Sequence, residues 1–190
     1  MDVLTIIRMK KRYFITFESK KMRVYIGLGS NEGDRIAHLQ FALKAIQQLG
    51  KIAACSSVYE SEPWGFESTH GFLNAVVVVD IRLSPMELLV KIHEIEAEAG
   101  RVRNESLGYT DRTLDLDILY MDDLLLDSEN LSVPHPAIAA RKFVLLPLYE
   151  ISPDWYDVRK QQTVKNLLQS CEDYSIVNKN ISFSRSLKWY

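Results

Sequence analysis

Arg112-Thr113-Leu114-Asp115-Leu116-Asp117-Ile118 is the stretch on which the fold of this 190-residue chain turns. Apolar and polar residues alternate through it, the signature of a β-strand with two unlike faces. Leu114, Leu116, Ile118 and Tyr120 then share a buried face, and Thr113, Asp115 and Asp117 share the other. The strand rise sets carboxylates at i and i+2 about 6–7 Å apart at the backbone. Their oxygens can converge on one Mg²⁺, or on two ions about 3.5–4 Å apart as in phosphoryl transfer. The competing reading is the solvated face of an amphipathic strand. Like charges side by side favour a counter-cation, and Arg101, Arg103 and Arg112 stand in or beside the loop that feeds the strand. Guanidinium forks meet phosphate bidentately, so the same residues suit a phosphate-bearing substrate.

Working outward, residues 24–28 form a short β-rich run ending in Gly27-Leu28-Gly29-Ser30-Asn31. That Gly-x-Gly lacks the spacing and lysine of a phosphate-binding P-loop and is expected to be a turn. Ile36, Leu39, Leu43, Ile46 and Leu49 recur at helical spacing, with Gly50 as the expected stop. Residues 52–59 and 72–83 are expected strands around the Pro- and Gly-containing loop 61–71. Ser84-Pro85-Met86-Glu87 is a capping box opening a helix that Gly100 closes. The order β-α-β-β-α-β predicts an α+β, ferredoxin-like sandwich with an antiparallel sheet and additional C-terminal elements. Those additions are a helix over 138–149 interrupted at Pro147 and a short helix over 163–169. Residues 1–21 are expected to be a dispensable basic leader, 22–170 one catalytic domain, and 171–190 a weakly patterned tail.

Composition narrows the class. Hydrophobic residues make up 47% and charged residues 25%, and no apolar run exceeds strand length, which argues against a membrane span. Two cysteines are too few for a disulfide framework, so a reduced, cytoplasmic protein is expected. The formal charge of −2 hides an asymmetry: residues 1–23 carry a net +5 and the remainder −7. An acidic body with two aspartates on the sheet face opposes the rival reading of a non-catalytic RNA-binding module. Another Mg²⁺-dependent nucleotide-processing enzyme is the rival within catalysis. Trp64, Phe66, Phe72 and Asn74 flank the 61–71 loop, and aromatics beside an amide suit a flat heterocycle. His93 and Glu96 lie one helical turn apart, His135 stands between two prolines, and Arg141 follows six residues later.

With these residues in place, the chain resembles the 6-hydroxymethyl-7,8-dihydropterin pyrophosphokinase family of folate biosynthesis. The matching strings, in the family's order, are Tyr25-Ile26-Gly27-Leu28-Gly29-Ser30-Asn31, Glu62-Pro63-Trp64-Gly65 and Phe72-Leu73-Asn74. Gly100-Arg101-Val102-Arg103, Asp111 through Ile118, and Val133-Pro134-His135-Pro136 complete them.

The resemblance implies transfer of the β,γ-diphosphate of ATP to the pterin hydroxymethyl oxygen, with AMP released. It implies two Mg²⁺ ions on Asp115 and Asp117, and Arg101 and Arg112 acting on the transferring group. Arg103, His135 and Arg141 would grip ATP phosphates, and His93, Glu96, Ile118 and Ser132 match nucleotide-contacting positions. The pterin would stack between Phe72 and Phe143, with Asn74, Ser61, Glu62 and Trp64 along its polar edge. Loops 61–71 and 101–111 are expected to close over it. The implied partners are these two small molecules, acting on a monomer without nucleic acid or membrane. Many members carry Arg-Trp-Gly-Pro before the acidic strand, whereas this chain has Leu107-Gly108-Tyr109-Thr110-Asp111. Tyr109 is the candidate replacement for the tryptophan. His93 stands where glutamine is usual, and Asn130 where arginine can occur.

Overall fold

The computed structural model describes residues 20–102, 110–180 and 182. Its centre is the apolar run Phe-Leu-Asn-Ala-Val-Val-Val-Val-Asp-Ile, strand β4 (Phe72–Ile81), buried along nearly its whole length. A strand apolar on both sides needs cover on both faces. Strand β1 (Met22–Ser30) runs antiparallel along one edge of β4, and β5 (Asp115–Met121) along the far edge of β1. The other edge of β4 takes two short strands end to end, β2 (Gly50–Cys55) and β3 (Tyr59–Ser61). Helices α1 (Arg35–Leu49) and α2 (Pro85–Glu98) cover one face through Leu39, Leu43, Ile46, Leu88 and Ile92. This is the expected ferredoxin-like order, with β2 and β3 together filling one strand's place.

That split corrects the single strand expected over 52–59. Ser56 causes it: its Oγ accepts from Val76 N at 2.9 Å, and its own N–H donates to Val76 O at 2.9 Å. A side chain thereby takes over one rung of the ladder. The helix stops at Gly50 as expected, but glycine itself is needed there for another reason. It is the first residue of β2, with extended backbone, and a Cβ there would lie 2.3 Å from the Asp80 carbonyl oxygen. Close strand approach, not helix termination, requires glycine. The capping box stands as expected, with Ser84 and Glu87 bonded reciprocally.

The second face carries the C-terminal additions. After the two-stranded ribbon β6 (Leu126–Asp127) and β7 (Ser132–Val133) come a 3₁₀ turn (Ile138–Ala140) and helix α3 (Lys142–Ile151). A second ribbon, β8 (Tyr156–Asp157) with β9 (Gln162–Thr163), leads to α4 (Val164–Gln169). Val144, Leu145, Leu148, Val164 and Leu167 pack there on Tyr25, Val76, Val78 and Leu119. The expected break at Pro147 falls instead at Arg141, whose extended backbone (φ −123°, ψ 97°) separates the turn from α3. Pro147 sits inside the helix and is buried. Strand β10 (Val177–Lys179), for which the sequence shows no pattern, pairs with β3 as the sheet's outer strand.

The deciding strand needs two corrections. It begins at Asp115 rather than Arg112, because the ladder with β1 ends at Gly29, and Asn31 meets the backbone of residue 112 with one side-chain and one backbone bond instead of a strand pairing. Its register also shifts against β1 between Tyr25 and Ile26. Leu116 and Ile118 face α1 and α2 as expected, but Tyr120 packs with Leu119 against the opposite helices. A bulge inserts one residue and resets the alternation. Gly50→Ala is expected to destabilise the fold by about 1–3 kcal/mol, the range for overpacking against backbone that cannot yield. Chemical denaturation measures it.

Candidate active site

Gly27 and Gly29 lie within β1, not in a turn, and their missing side chains leave the sheet surface open. A Cβ at Gly29 would stand 3.6 Å from Asp115 Cβ and 3.6 Å from Asn74 Oδ1. Above this floor is a cleft open to solvent, lined by charged, polar and aromatic side chains, the mixture that suits a small polar ligand. Asp115 and Asp117 form one side, as alternation along β5 requires; Phe72, Asn74 and Ser61 form another. Trp64 and Phe66 come from the 61–71 loop, and Arg141 and Phe143 from the start of α3.

The aspartates do not stand bare. Arg101 bonds both Asp115 and the buried Glu96, and Arg112 reaches Asp115 Oδ2 at 3.1 Å. Arg141 donates to Asp117 Oδ2 at 3.2 Å. Three guanidinium groups thus face three carboxylates. Burial, then the neighbouring charge of Asp115, pushes Asp117 up to about 6, against the pull of Arg141 and Arg112. Glu96 is only 1% exposed, and besides Arg101 it accepts the Leu116 backbone N–H at 2.8 Å. It thereby ties α2 to β5. Burial opposes the charge of Arg101, but Asp115 and Glu96 outweigh it and raise the guanidinium pKa.

The aromatic walls are organised by the same arginines. Arg112 lies 5.2 Å from the Phe72 ring centroid, and Phe72 meets Phe66 edge-on at 6.2 Å. Arg141 lies 4.9 Å from the Trp64 ring, which meets Phe143 edge-on at 6.5 Å. Asn74 Nδ2 donates to Ser61 Oγ at 3.0 Å, with both residues buried. Its Oδ1 lies on the Gly29 side of the cleft.

The other candidates are more scattered. Segment 132–135 runs along the free edge of β5, anchored by His135 N donating to Leu119 O at 3.0 Å. Half-buried Ser132 bonds Asp127. Burial, followed by the charge of Arg141, lowers the His135 imidazole to about 4, and its Nδ1 accepts from Ala137 N at 3.1 Å. Glu62 is exposed at the cleft rim. Ile118 points into the core opposite Asp117. His93 is exposed on α2 and does not line the cleft. Arg103 and Tyr109 lie outside the described residues.

Sequence reasoning gave no role to three residues that shape the rim. Asn31, 2% exposed, accepts from Arg112 N at 2.8 Å, and its backbone N–H donates to Arg112 O at 3.2 Å. Its Nδ2 donates to Asp111 Oδ1 at 2.6 Å, and Asp111 Oδ2 pairs with His70 Nδ1 at 3.2 Å. The backbone that presents Arg112 is therefore clamped, and His70 of the 61–71 loop meets Asp111 beside it. Asn31 stood in the quoted Gly-Leu-Gly-Ser-Asn string, but nothing in one sequence announces its partner 81 residues away.

The model of the family described as 7,8-dihydro-6-hydroxymethylpterin-pyrophosphokinase (HPPK) matches residues 25–153. The 2-amino-4-hydroxy-6-hydroxymethyldihydropteridine pyrophosphokinase of Aquifex aeolicus is 43% identical over 131 residues, 69% of this chain and 81% of the Aquifex protein. The Haemophilus influenzae protein of that name is 38% identical over 158 residues, 82% of this chain and 97% of the relative. A crystal structure of Plasmodium falciparum HPPK-DHPS aligns with TM-score 0.65 at 19% identity. It covers 80% of this chain, which spans 44% of the Plasmodium chain, and the likeness there is one of fold.

The His135 shift carries a sign. The unfolded imidazole, near 6.5, takes up its proton before the folded one near 4, so this residue's contribution to stability falls as pH drops through that window. Denaturant midpoints of wild type and His135→Gln, compared between pH 7 and pH 4, are expected to show wild type losing ground to the variant.

Proposed function

The chain belongs to the 7,8-dihydro-6-hydroxymethylpterin-pyrophosphokinase family, and on that premise we propose how its cleft carries out the family's reaction. Diphosphate passes from ATP to the hydroxymethyl group of 6-hydroxymethyl-7,8-dihydropterin: the hydroxymethyl oxygen bonds to the β-phosphorus and gives up its proton to solvent, the bond from that phosphorus to the α,β-bridging oxygen breaks, and AMP leaves with that oxygen. The observation that carries the assignment of roles is the Asp115–Asp117 pair on one strand face, set among Arg101, Arg112 and Arg141 under aromatic walls.

Each reactant has its own part of the cleft. The pterin ring stacks between Phe72 and Phe143, with Asn74 Oδ1 accepting from its edge beside Ser61, Glu62 and Trp64. Arg141 and His135 hold ATP phosphates, with Arg103 as a further contact; Ile118 and Ser132 border the nucleotide, and His93 lies at its outer limit. His135 is neutral above its lowered pKa and Nδ1 is engaged by Ala137 N–H, so Nε2 carries the proton that it offers. Glu96 acts through Arg101, holding the guanidinium beside Asp115.

The donor set fits Mg²⁺. Two carboxylates are hard oxygen ligands already drawing cationic groups. Mg²⁺ takes its remaining ligands from phosphate and water, so two carboxylates are a sufficient protein contribution. Asp115 and Asp117 would hold it, as a pair of ions, supplying neutralisation of phosphate charge. Arg101 and Arg112 stabilise the negative charge on the transferring diphosphate, and no protein nucleophile is needed when positioning and electrostatics carry the step.

Incubation with ATP, Mg²⁺ and the reduced hydroxymethylpterin should yield AMP and the pterin diphosphate, and EDTA should stop it. Asp117→Ala and Asp115→Ala should each lower AMP formation at least about 100-fold while circular dichroism stays native; near-normal turnover in either would remove the metal assignment. Gly29→Leu should fill the floor of the cleft and raise the pterin KM at least about tenfold, with a thermal midpoint close to wild type.

A further inference from the structure

The start of α3 is the weak point of this site's architecture. Arg141 and Phe143 lie at its first residues, where the leading backbone N–H groups have no partner within the helix. The residue at the cap position is Arg141 itself, whose side chain makes no capping hydrogen bond. The cap comes from 31 residues away. Asp173 Oδ2 accepts the Lys142 N–H at 2.8 Å, while Oδ1 accepts the Ser175 N–H at 3.0 Å. Lys142 Nζ in turn donates to Ser175 O at 3.1 Å. A carboxylate here satisfies an orphan donor and lies at the positive end of the helix dipole.

The same segment continues to the opposite wall. Val177 pairs with Ser61, Asn178 with Glu60 and Lys179 with Tyr59. Asn180 N donates to Val58 O at 2.8 Å, and Lys179 Nζ reaches Glu150 of α3 at 2.9 Å. Glu150 also accepts from Tyr59 OH and from Ser57. Residues 173–180 thus join the helix bearing Phe143 to the strand bearing Ser61, and they lie beyond the 25–153 span that the family model matches.

We propose that Asp173 is a positioning residue for pterin binding, the anchor of a C-terminal brace that sets Arg141 and Phe143 on one wall and, through β10, Ser61 on the other. This rests on the reading above in which Phe143 stacks on the pterin. A stacking wall holds the ground state and the transition state alike, so its displacement raises KM and leaves kcat little changed.

The test uses the full chain with Asp173→Ala, Asp173→Asn, Phe143→Ala and the Asp173→Ala/Phe143→Ala double variant. Pterin KM, ATP KM, kcat and thermal midpoint are measured for each. Asp173→Ala is expected to raise the pterin KM about three- to tenfold, the scale of a lost helix cap, with kcat within about twofold of wild type. Asn, whose single amide oxygen can keep the Lys142 bond but not accept from Ser175 as well, restores only part of the loss. The double variant is expected to raise the pterin KM by less than the product of the two single effects, since Asp173 acts in part through that ring. A lowered thermal midpoint with unchanged pterin KM in Asp173→Ala, beside a raised KM in Phe143→Ala, overturns the positioning role while leaving the stacking reading intact. An unchanged KM in Phe143→Ala overturns the stacking reading and this inference with it. Should Asp173→Ala not fold, Asp173→Glu takes its place, keeping the charge but moving it by a methylene. A pterin KM raised about threefold then supports the proposal, and an unchanged one overturns it.

Discussion

Two carboxylates on one face of one strand repel each other, and in a half-closed cleft little water screens them. Much of the structure around Asp115 and Asp117 answers that constraint. Arg112 comes from the residues leading into the strand, Arg101 from the end of α2, and Arg141 from the start of α3, each reaching one of the pair. Arg101 is itself held by Glu96, whose second bond, to the Leu116 N–H, fixes the strand between the two aspartates. Separate elements of the fold are therefore pinned to one another by the charges they bring to the cleft. In the reading proposed above, the balance also has a chemical use: guanidinium groups resting on carboxylates would be available to phosphate once cations on the substrate took up the aspartates' charge.

How much of this was legible in the sequence depends on range. The capping box of Ser84 and Glu87, the helix over 35–49 and the alternation of Asp115 and Asp117 are set by neighbours within a few residues. Local pattern determines them, and the sequence shows them. The split between β2 and β3 it does not show, because that depends on Ser56 meeting Val76 across the sheet. The same holds for Asn31 on Arg112 and for Asp173 on Lys142, where a short polar side chain completes a distant backbone. Asn, Ser and Asp serve equally in turns and caps, so their identity alone does not reveal which backbone they serve. Gly27 and Gly29 mislead for a related reason: glycine usually signals a turn, whereas here the strand needs bare surface beneath the cleft.

The bulge opposite Tyr25 and Ile26 explains how one strand face serves two purposes. From Asp115 to Ile118 the alternation is regular, and the carboxylates face the cleft. The extra residue then turns both Leu119 and Tyr120 toward α3 and α4, and only Met121 returns to the first core. Tyr120 OH donates to the buried Asp157 at 3.1 Å, while its ring packs near Tyr25 and Trp155. Uninterrupted alternation would send Tyr120 under α1 and α2 and leave that end of the face without its bulkiest side chain. The covering helices would lose their footing there. Since α3 carries Arg141 and Phe143, a one-residue irregularity on the dry half of β5 decides where the helix sits that furnishes a wall of its wet half.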